Sequence, residues 1–99
     1  MIIGVDAYYL YAEHIDGLGN YLLRLLKELS RIDRENEYFL YTPGITHRDY
    51  AEAILANPRF TLRQIPGIVT GKRRFWLQSP SLKRQIFSDG VELFFAGAE

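Results

Sequence analysis

Four short strand-like runs alternate with three helical stretches, and this order constrains the fold more than any single motif. Ile2 to Val5 (Ile-Ile-Gly-Val) is too short for a helix and reads as a strand buried on both faces, ended by Asp6. Tyr38 to Tyr41 (Tyr-Phe-Leu-Tyr) is a second strand of aromatic and apolar residues, closed by Thr42-Pro43-Gly44. Arg59 to Ile65 alternates, with Phe60 and Leu62 on one face and Thr61 and Arg63 on the other. That pattern predicts a half-exposed edge strand, closed by Pro66-Gly67. Val91 to Ala96 contains Leu93-Phe94-Phe95, again of the kind buried on two sides.

The helices between them differ in clarity. Leu18, Tyr21, Leu22, Leu25, Leu26, Leu29 and Ile32 fall on one stripe at helical spacing, opposite Asn20, Arg24, Lys27, Glu28 and Arg31. This predicts an amphipathic helix over 18–32 with the stripe inward and Asp33 and Asn36 at its exit. A second, short helix is expected over about 47–56, capped by Thr46, with Tyr50, Ile54 and Leu55 inward and Asn57-Pro58 as its stop. Over 71–88 a basic start (Lys72, Arg73, Arg74) leads into Phe75, Trp76, Leu82, Ile86 and Phe87, expected along one side of a helix restarted at Pro80. Asp89-Gly90 is its stop.

Strand, helix, strand, helix, strand, helix, strand is the signature of a parallel α/β sheet with right-handed crossovers and helices on both faces. The expected order is 3-2-1-4, a Rossmann-like half-sheet. The third strand then lies at one edge, in agreement with its alternation. The fourth lies at the other edge, although its consecutive apolar residues suit a central strand with a neighbour and a covering helix. The sequence therefore reads as part of a larger domain, and its exposed fourth-strand edge is expected to drive self-association.

Composition removes several classes of function. The 99 residues suffice for one small domain. Twelve basic residues balance twelve acidic ones, which argues against nucleic acid as a partner. There is no cysteine, hence no disulfide framework and no thiolate metal site. No stretch approaches the ~20 apolar residues of a membrane span. The N-terminus opens into a strand without a basic leader, so no signal peptide is expected.

In an open α/β sheet, ligands bind beyond the carboxyl ends of the strands, at the switch point. That places interest on the eleven-residue loop Ala7 to Gly17 and on Gly17-Leu18-Gly19-Asn20-Tyr21 at the helix start. Glycines let a ligand approach the backbone, and amides at a helix N-terminus suit a phosphate. The structural alternative is a turn that only starts the helix. A nicotinamide fingerprint is excluded, because the first glycine comes eleven residues after Asp6 and Leu22 stands where a third glycine belongs. Tyr8, Tyr9 and Tyr11 suit either a sugar-binding cleft or packing over the end of the sheet. Asp6, Glu13 and Asp16 are close in sequence, which suggests acid/base or metal chemistry, against the simpler roles of a cap for Asp16 and solvation for Glu13. His14 reads as a surface residue and His47 as a first-turn helix residue. Lys72-Arg73-Arg74-Phe75-Trp76 suits an anionic lipid surface, against a solvated loop leading into a buried Trp76.

Taken together, these residues resemble a known family. Ile2-Ile3-Gly4-Val5-Asp6-Ala7 resembles the first strand of the bacterial GT-B glycosyltransferases of family four, the mannosyltransferase-like group 1. Gly17-Leu18-Gly19-Asn20-Tyr21, followed by a leucine-rich helix, is similar to the family's Gly-Ile-Gly-Arg-Tyr. Asp33-Arg34-Glu35-Asn36-Glu37-Tyr38 resembles its Asp-Pro-Glu-Asn-Glu-Tyr, Phe75-Trp76-Leu77-Gln78 its Leu-Trp-Glu-Gln, and Val91-Glu92-Leu93-Phe94 its Val-Asp-Leu-Phe. The similarity runs along essentially the whole chain. Two positions depart from the family, Tyr8 and Asn20, where arginine is common; backbone contacts at Gly17 and Gly19 do not depend on them.

The resemblance implies that residues 1–99 are the N-terminal, acceptor-side part of a two-domain enzyme whose donor domain is not in this chain. It implies transfer of a sugar, mannose or glucose, from a nucleotide-sugar to a glycan or lipid-linked acceptor, with retention at the anomeric carbon. Such work belongs to cell-envelope polysaccharide synthesis, in the cytoplasm or at the inner membrane face. The candidate substrate- or phosphate-binding residues are Gly17, Leu18, Gly19, Asn20, Tyr21 and Tyr8. No catalytic residue, cofactor or metal is expected within the chain, which alone is expected to be inactive. The alternatives are a non-catalytic α/β interaction module and another nucleotide-binding Rossmann protein.

Overall fold

A computed structural model describes residues 1–65 and 73–96. Along the chain run β1 (Ile2–Asp6), a single 3-10 turn (Tyr8–Leu10), α1 (Gly17–Ile32), β2 (Glu37–Thr42), α2 (Arg48–Leu55), β3 (Phe60–Gln64), α3 (Arg73–Leu77), α4 (Pro80–Ser88) and β4 (Leu93–Phe95). The strands form one parallel sheet in the order β3-β2-β1-β4. The expected architecture is the observed one. The turn at Pro66-Gly67, and Gly71 and Lys72, lie outside the described residues.

The sheet separates two cores, and the connections explain why. The crossovers from β1 to β2 and from β2 to β3 step in one direction across the sheet, so right-handed connections put α1 and α2 on the same face. There Leu22, Leu23, Leu26, Ala51 and Ile54 close over Val5, Tyr38, Leu40 and Phe60. The return from β3 to β4 runs the other way and carries α3 and α4 to the opposite face, where Trp76 and Leu82 pack with Tyr41, Phe39 and Phe94. β2 serves both cores through its alternating side chains, Tyr38 and Leu40 on one face and Phe39 and Tyr41 on the other. Tyr38 and Phe60, paired in register, stack with ring centroids 4.2 Å apart.

Three helix details differ from expectation. The buried face of α1 runs through Gly19, Leu22, Leu23, Leu26 and Ser30, while Leu18, Tyr21 and Ile32 are exposed. The face is rotated because α1 packs on α2 as well as on the sheet. Ser30 Oγ donates to the Ile54 carbonyl, and Asn57 Nδ2 donates to the Ser30 carbonyl at 2.9 Å. Thr46 does not cap α2; its hydroxyl donates instead to the Tyr11 carbonyl at 2.9 Å, and His47 takes the N-cap position. On the other face, Phe75 and Phe87 turn outward, because α3 and α4 are separate helices, each contributing one fully buried residue, Trp76 and Leu82.

Helix ends follow local chemistry. Asp16 Oδ1 accepts from the Gly19 amide at 2.8 Å and caps α1. Ser79 caps α4, with Pro80 in its first turn. Gly90 adopts φ 71°, a left-handed conformation that favours glycine, and turns the chain from α4 toward β4.

Candidate functional site

β1 delivers the chain into an ordered loop at the carboxyl end of the sheet. The Ala7 amide donates to the Tyr41 carbonyl at 2.8 Å, extending the sheet by one bond before the Tyr8–Leu10 turn. The loop is then tied to the start of α2. The Leu10 carbonyl accepts from the amides of Thr46 and His47, and the Ala12 carbonyl lies 2.6 Å from His47 Nε2. A carbonyl only accepts, so Nε2 of His47 carries the proton. These contacts join residues 35 to 37 positions apart and hold the loop as a fixed wall.

That wall frames an open cleft of about 660 Å³ lined by Tyr8, Tyr9, Tyr11, Glu13, His14 and Arg73, among others. Its size is that of small-ligand sites, roughly 300–1,000 Å³. The tyrosines pack over the end of the sheet and also border the cleft. Tyr8 and Tyr9 are buried and pack over the end of the sheet, yet each presents part of its ring to the cleft; Tyr11 is exposed. Tyr8 meets Tyr9 and Tyr11 edge-on at centroid distances of 6.2 and 6.0 Å, so the rings hold one another in place. Burial pushes the phenols of Tyr8 and Tyr9 up from their ordinary range, so both are neutral hydroxyls at physiological pH.

Under the cleft lies a charged pair that sequence patterns did not reveal. Asp6 is fully buried at the end of β1. Its Oδ2 accepts from Arg73 Nε at 2.7 Å, and its Oδ1 from Trp76 Nε1 at 2.9 Å and the Tyr8 amide at 3.1 Å. Burial pushes the Asp6 carboxyl up; Arg73, Trp76 and the Tyr8 amide pull it back without cancelling the effect. Arg73 also donates to the Ala96 carbonyl just beyond β4 and lies over the Tyr9 ring at 5.8 Å. It thus joins β1, β4 and the tyrosine loop at the switch point. Arg73 is therefore not the solvated loop residue expected. The one available signal was Trp76 itself, since a buried indole N–H needs an acceptor.

The other predicted residues disperse. Asp6 is occupied beneath the cleft, Asp16 caps α1, and Glu13 is exposed at the cleft wall beside His14. Among the described residues, no group of three or more His, Asp or Glu side chains is placed to hold a metal.

The glycine segment stands beside the cleft rather than in its lining. The Gly19 amide is held by Asp16, and a Cβ at Gly19 would lie 2.6–2.9 Å from ring atoms of Tyr9. Gly19 therefore lets α1 approach the tyrosine loop. Gly17 faces open space. Leu18 and Tyr21 are exposed. Asn20 reaches the Ile15 carbonyl through Nδ2 and accepts from the Tyr50 hydroxyl at 3.3 Å. The negative charge of Asp16 already complements the α1 dipole, which makes this helix start less hospitable to a phosphate.

A second polar network lies behind the sheet. Asp89 accepts from the Tyr41 hydroxyl at 2.8 Å, from both Nε and Nη2 of Arg63 at 3.2 Å, and from Gln85 Nε2 at 3.0 Å. The sequence marks Asp89 only as a helix stop, but here it ties β2 and β3 to α4. No helix among the described residues is long and apolar enough to cross a membrane. Compared with known proteins, the chain matches no family model, no curated protein and no solved structure.

Proposed function

We propose that the chain is the acceptor-side domain of a retaining GT-B glycosyltransferase. The observation that carries this reading is the tyrosine-walled cleft beyond the carboxyl end of β1, at the switch point where open α/β sheets bind ligands. Aromatic rings offer an apolar face to a sugar ring, and their hydroxyls offer hydrogen bonds to its hydroxyls. Tyr11 is the accessible ring, Tyr8 and Tyr9 form the backing, and Glu13, His14 and Thr46 add polar groups on the wall. In this reading the cleft positions a glycan or lipid-linked acceptor at the cytoplasmic side of a membrane. A nucleotide-sugar, mannose or glucose in class, is held by a second domain, so the chain alone binds but does not turn over. Gly17 to Tyr21 flank the cleft and are the second place where substrate contact is expected.

Titration of the ¹⁵N-labelled chain with mannose and glucose disaccharides tests the proposal. Saturable shifts at Tyr8 to His14 are expected, weakened roughly 2- to 10-fold by Tyr11→Ala. Shifts that never saturate, or that ignore Tyr11→Ala, would remove the cleft as an acceptor site. They would favour a non-catalytic interaction module, for which the exposed Leu93 on β4 is the supporting observation.

A further inference from the structure

At the opposite end of the sheet from the tyrosine cleft lies a second concavity, of about 440 Å³. It is enclosed by the end of α1, the end of α2 and the turn into β3. Its lining carries Lys27, Arg31, Arg34 and Arg59, and no carboxylate among the described residues. The whole chain is neutral, with twelve charges of each sign, so this is a local segregation of charge.

Helix ends alone do not account for it. Each helix C-terminus contributes about half a negative charge, so α1 and α2 together supply roughly one. Their carbonyls are already served by other groups: Ser30 O accepts from Asn57 Nδ2 at 2.9 Å and Arg34 Nη1 at 3.0 Å, and Asp33 O from Asn57 Nδ2 at 2.8 Å. Glu28 bonds Arg31 at 2.9 Å, but that pair is widely exposed and weakly held. The Asp33 carboxylate is turned onto the Tyr38 hydroxyl, the Asn36 side chain and the Glu35 amide. About two positive charges therefore remain uncompensated, and the side chains of Lys27 and Arg59 have no hydrogen-bond or ion-pair partner among the described residues. The uncharged floor, Ser30 and Asn57, is buried and satisfied, which leaves the hollow with donors at its rim and a fixed shape.

We propose that this hollow binds a phosphate-class polyanion, independently of what the tyrosine cleft binds. Several guanidinium and ammonium groups around a concavity match an anion carrying more than one charge, and guanidinium recognises phosphate oxygens in pairs.

The test is titration of the ¹⁵N-labelled chain with inorganic tripolyphosphate, alongside co-sedimentation with phosphatidylcholine vesicles with and without phosphatidic acid. Saturable shifts at Lys27, Arg34, Ala56 and Arg59 are expected, with Tyr8 to His14 unmoved. The double variant Lys27→Gln/Arg59→Gln should weaken binding roughly 3- to 30-fold and keep its melting temperature, since neither side chain bonds within the described residues. Pelleting with phosphatidic acid that the double variant loses would identify a lipid headgroup as the source; a response to tripolyphosphate alone would identify a soluble phosphate. Either supports the site. Non-saturating shifts with no vesicle binding, or binding that the double variant retains in full, would overturn it.

Discussion

Arg73 Nε donates to Asp6 Oδ2 across 2.7 Å, joining α3 to the end of β1 over 67 residues of sequence. The carboxylate is fully buried and the Arg73 side chain is 16% exposed, so solvent screens the pair little. Removing one partner of such a pair strands the other charge, which costs far more than removing both.

Arg73→Met is therefore expected to destabilise the chain by about 3–5 kcal/mol, and Asp6→Asn/Arg73→Met by less than the sum of the single changes. The pH dependence has a definite sign. Burial raises the folded-state Asp6 carboxyl, and loss of Arg73 raises it further. A raised acid contributes stability that is present below its unfolded value and is lost as pH rises through the folded one. Denaturant melts of Arg73→Met should thus show a larger deficit at pH 8 than at pH 4. An equal deficit at both would mean that Asp6 bears no charge worth pairing.

The two glycines of the α1 start should respond in opposite ways. A Cβ at Gly19 meets the Tyr9 ring at 2.6–2.9 Å, and the ring is wedged against Tyr8. Overpacking of this kind costs roughly 1–3 kcal/mol, more than the ~1 kcal/mol gained in helix propensity. Gly17 has no neighbour within 4 Å of its Cβ position, so Gly17→Ala should stabilise by up to about 1 kcal/mol. Thermal melts of both variants decide this, and a stabilised Gly19→Ala would show that the tyrosine loop yields.

Tyr38 and Asp33 form a pair that acts at both ends of the pH scale. The Tyr38 hydroxyl donates to Asp33 Oδ2 at 2.6 Å. Burial and this bond push the phenol up to about 12, while Tyr38, Asn36 and two backbone amides hold the Asp33 carboxyl well below its usual range. The phenol contributes stability below its unfolded value, ~10, that is lost as pH rises through about 12. Asp33 contributes stability above ~3.9 that is lost as pH falls. Tyr38→Phe should flatten both limbs of the stability profile and remove from the phenolate absorbance a component titrating near 12, leaving the still more raised Tyr41. A native Tyr38 ionising near 10 would sink the assignment.

β4 pairs with β1 on one side and has no strand on the other among the described residues. Leu93 is 53% exposed there, beside a shallow apolar groove formed with Leu25, Leu29 and Phe95. Unprotected edges of this kind pair with other chains. Sedimentation equilibrium should give a mass that rises with concentration, and Leu93→Lys should return it toward the monomer. A monomer mass for both proteins across the range would show that the edge is inert.

The sheet and its order were legible in advance because strand runs, helical stripes and stops are local patterns. Asp16 as a cap and Asn57-Pro58 as a stop are of the same kind. The position of the tyrosine loop followed from topology alone, since a parallel sheet puts the end of β1 at the switch point. The role of Gly19 was not legible: glycine in a loop-to-helix turn looks the same whether it admits a ligand or the ring of Tyr9.

What the sequence determined by itself was therefore the order of elements, and with it a four-stranded parallel sheet with one switch point. Tertiary structure alone decided which face of α1 is buried, that Arg73 is committed to Asp6, and that four cations gather where α1 and α2 end. The physical reason is range. Periodicity and capping act within a few residues, whereas Asp6 meets Arg73 and Trp76 across 67 and 70 residues, contacts that exist only once the return crossover has brought α3 over the sheet.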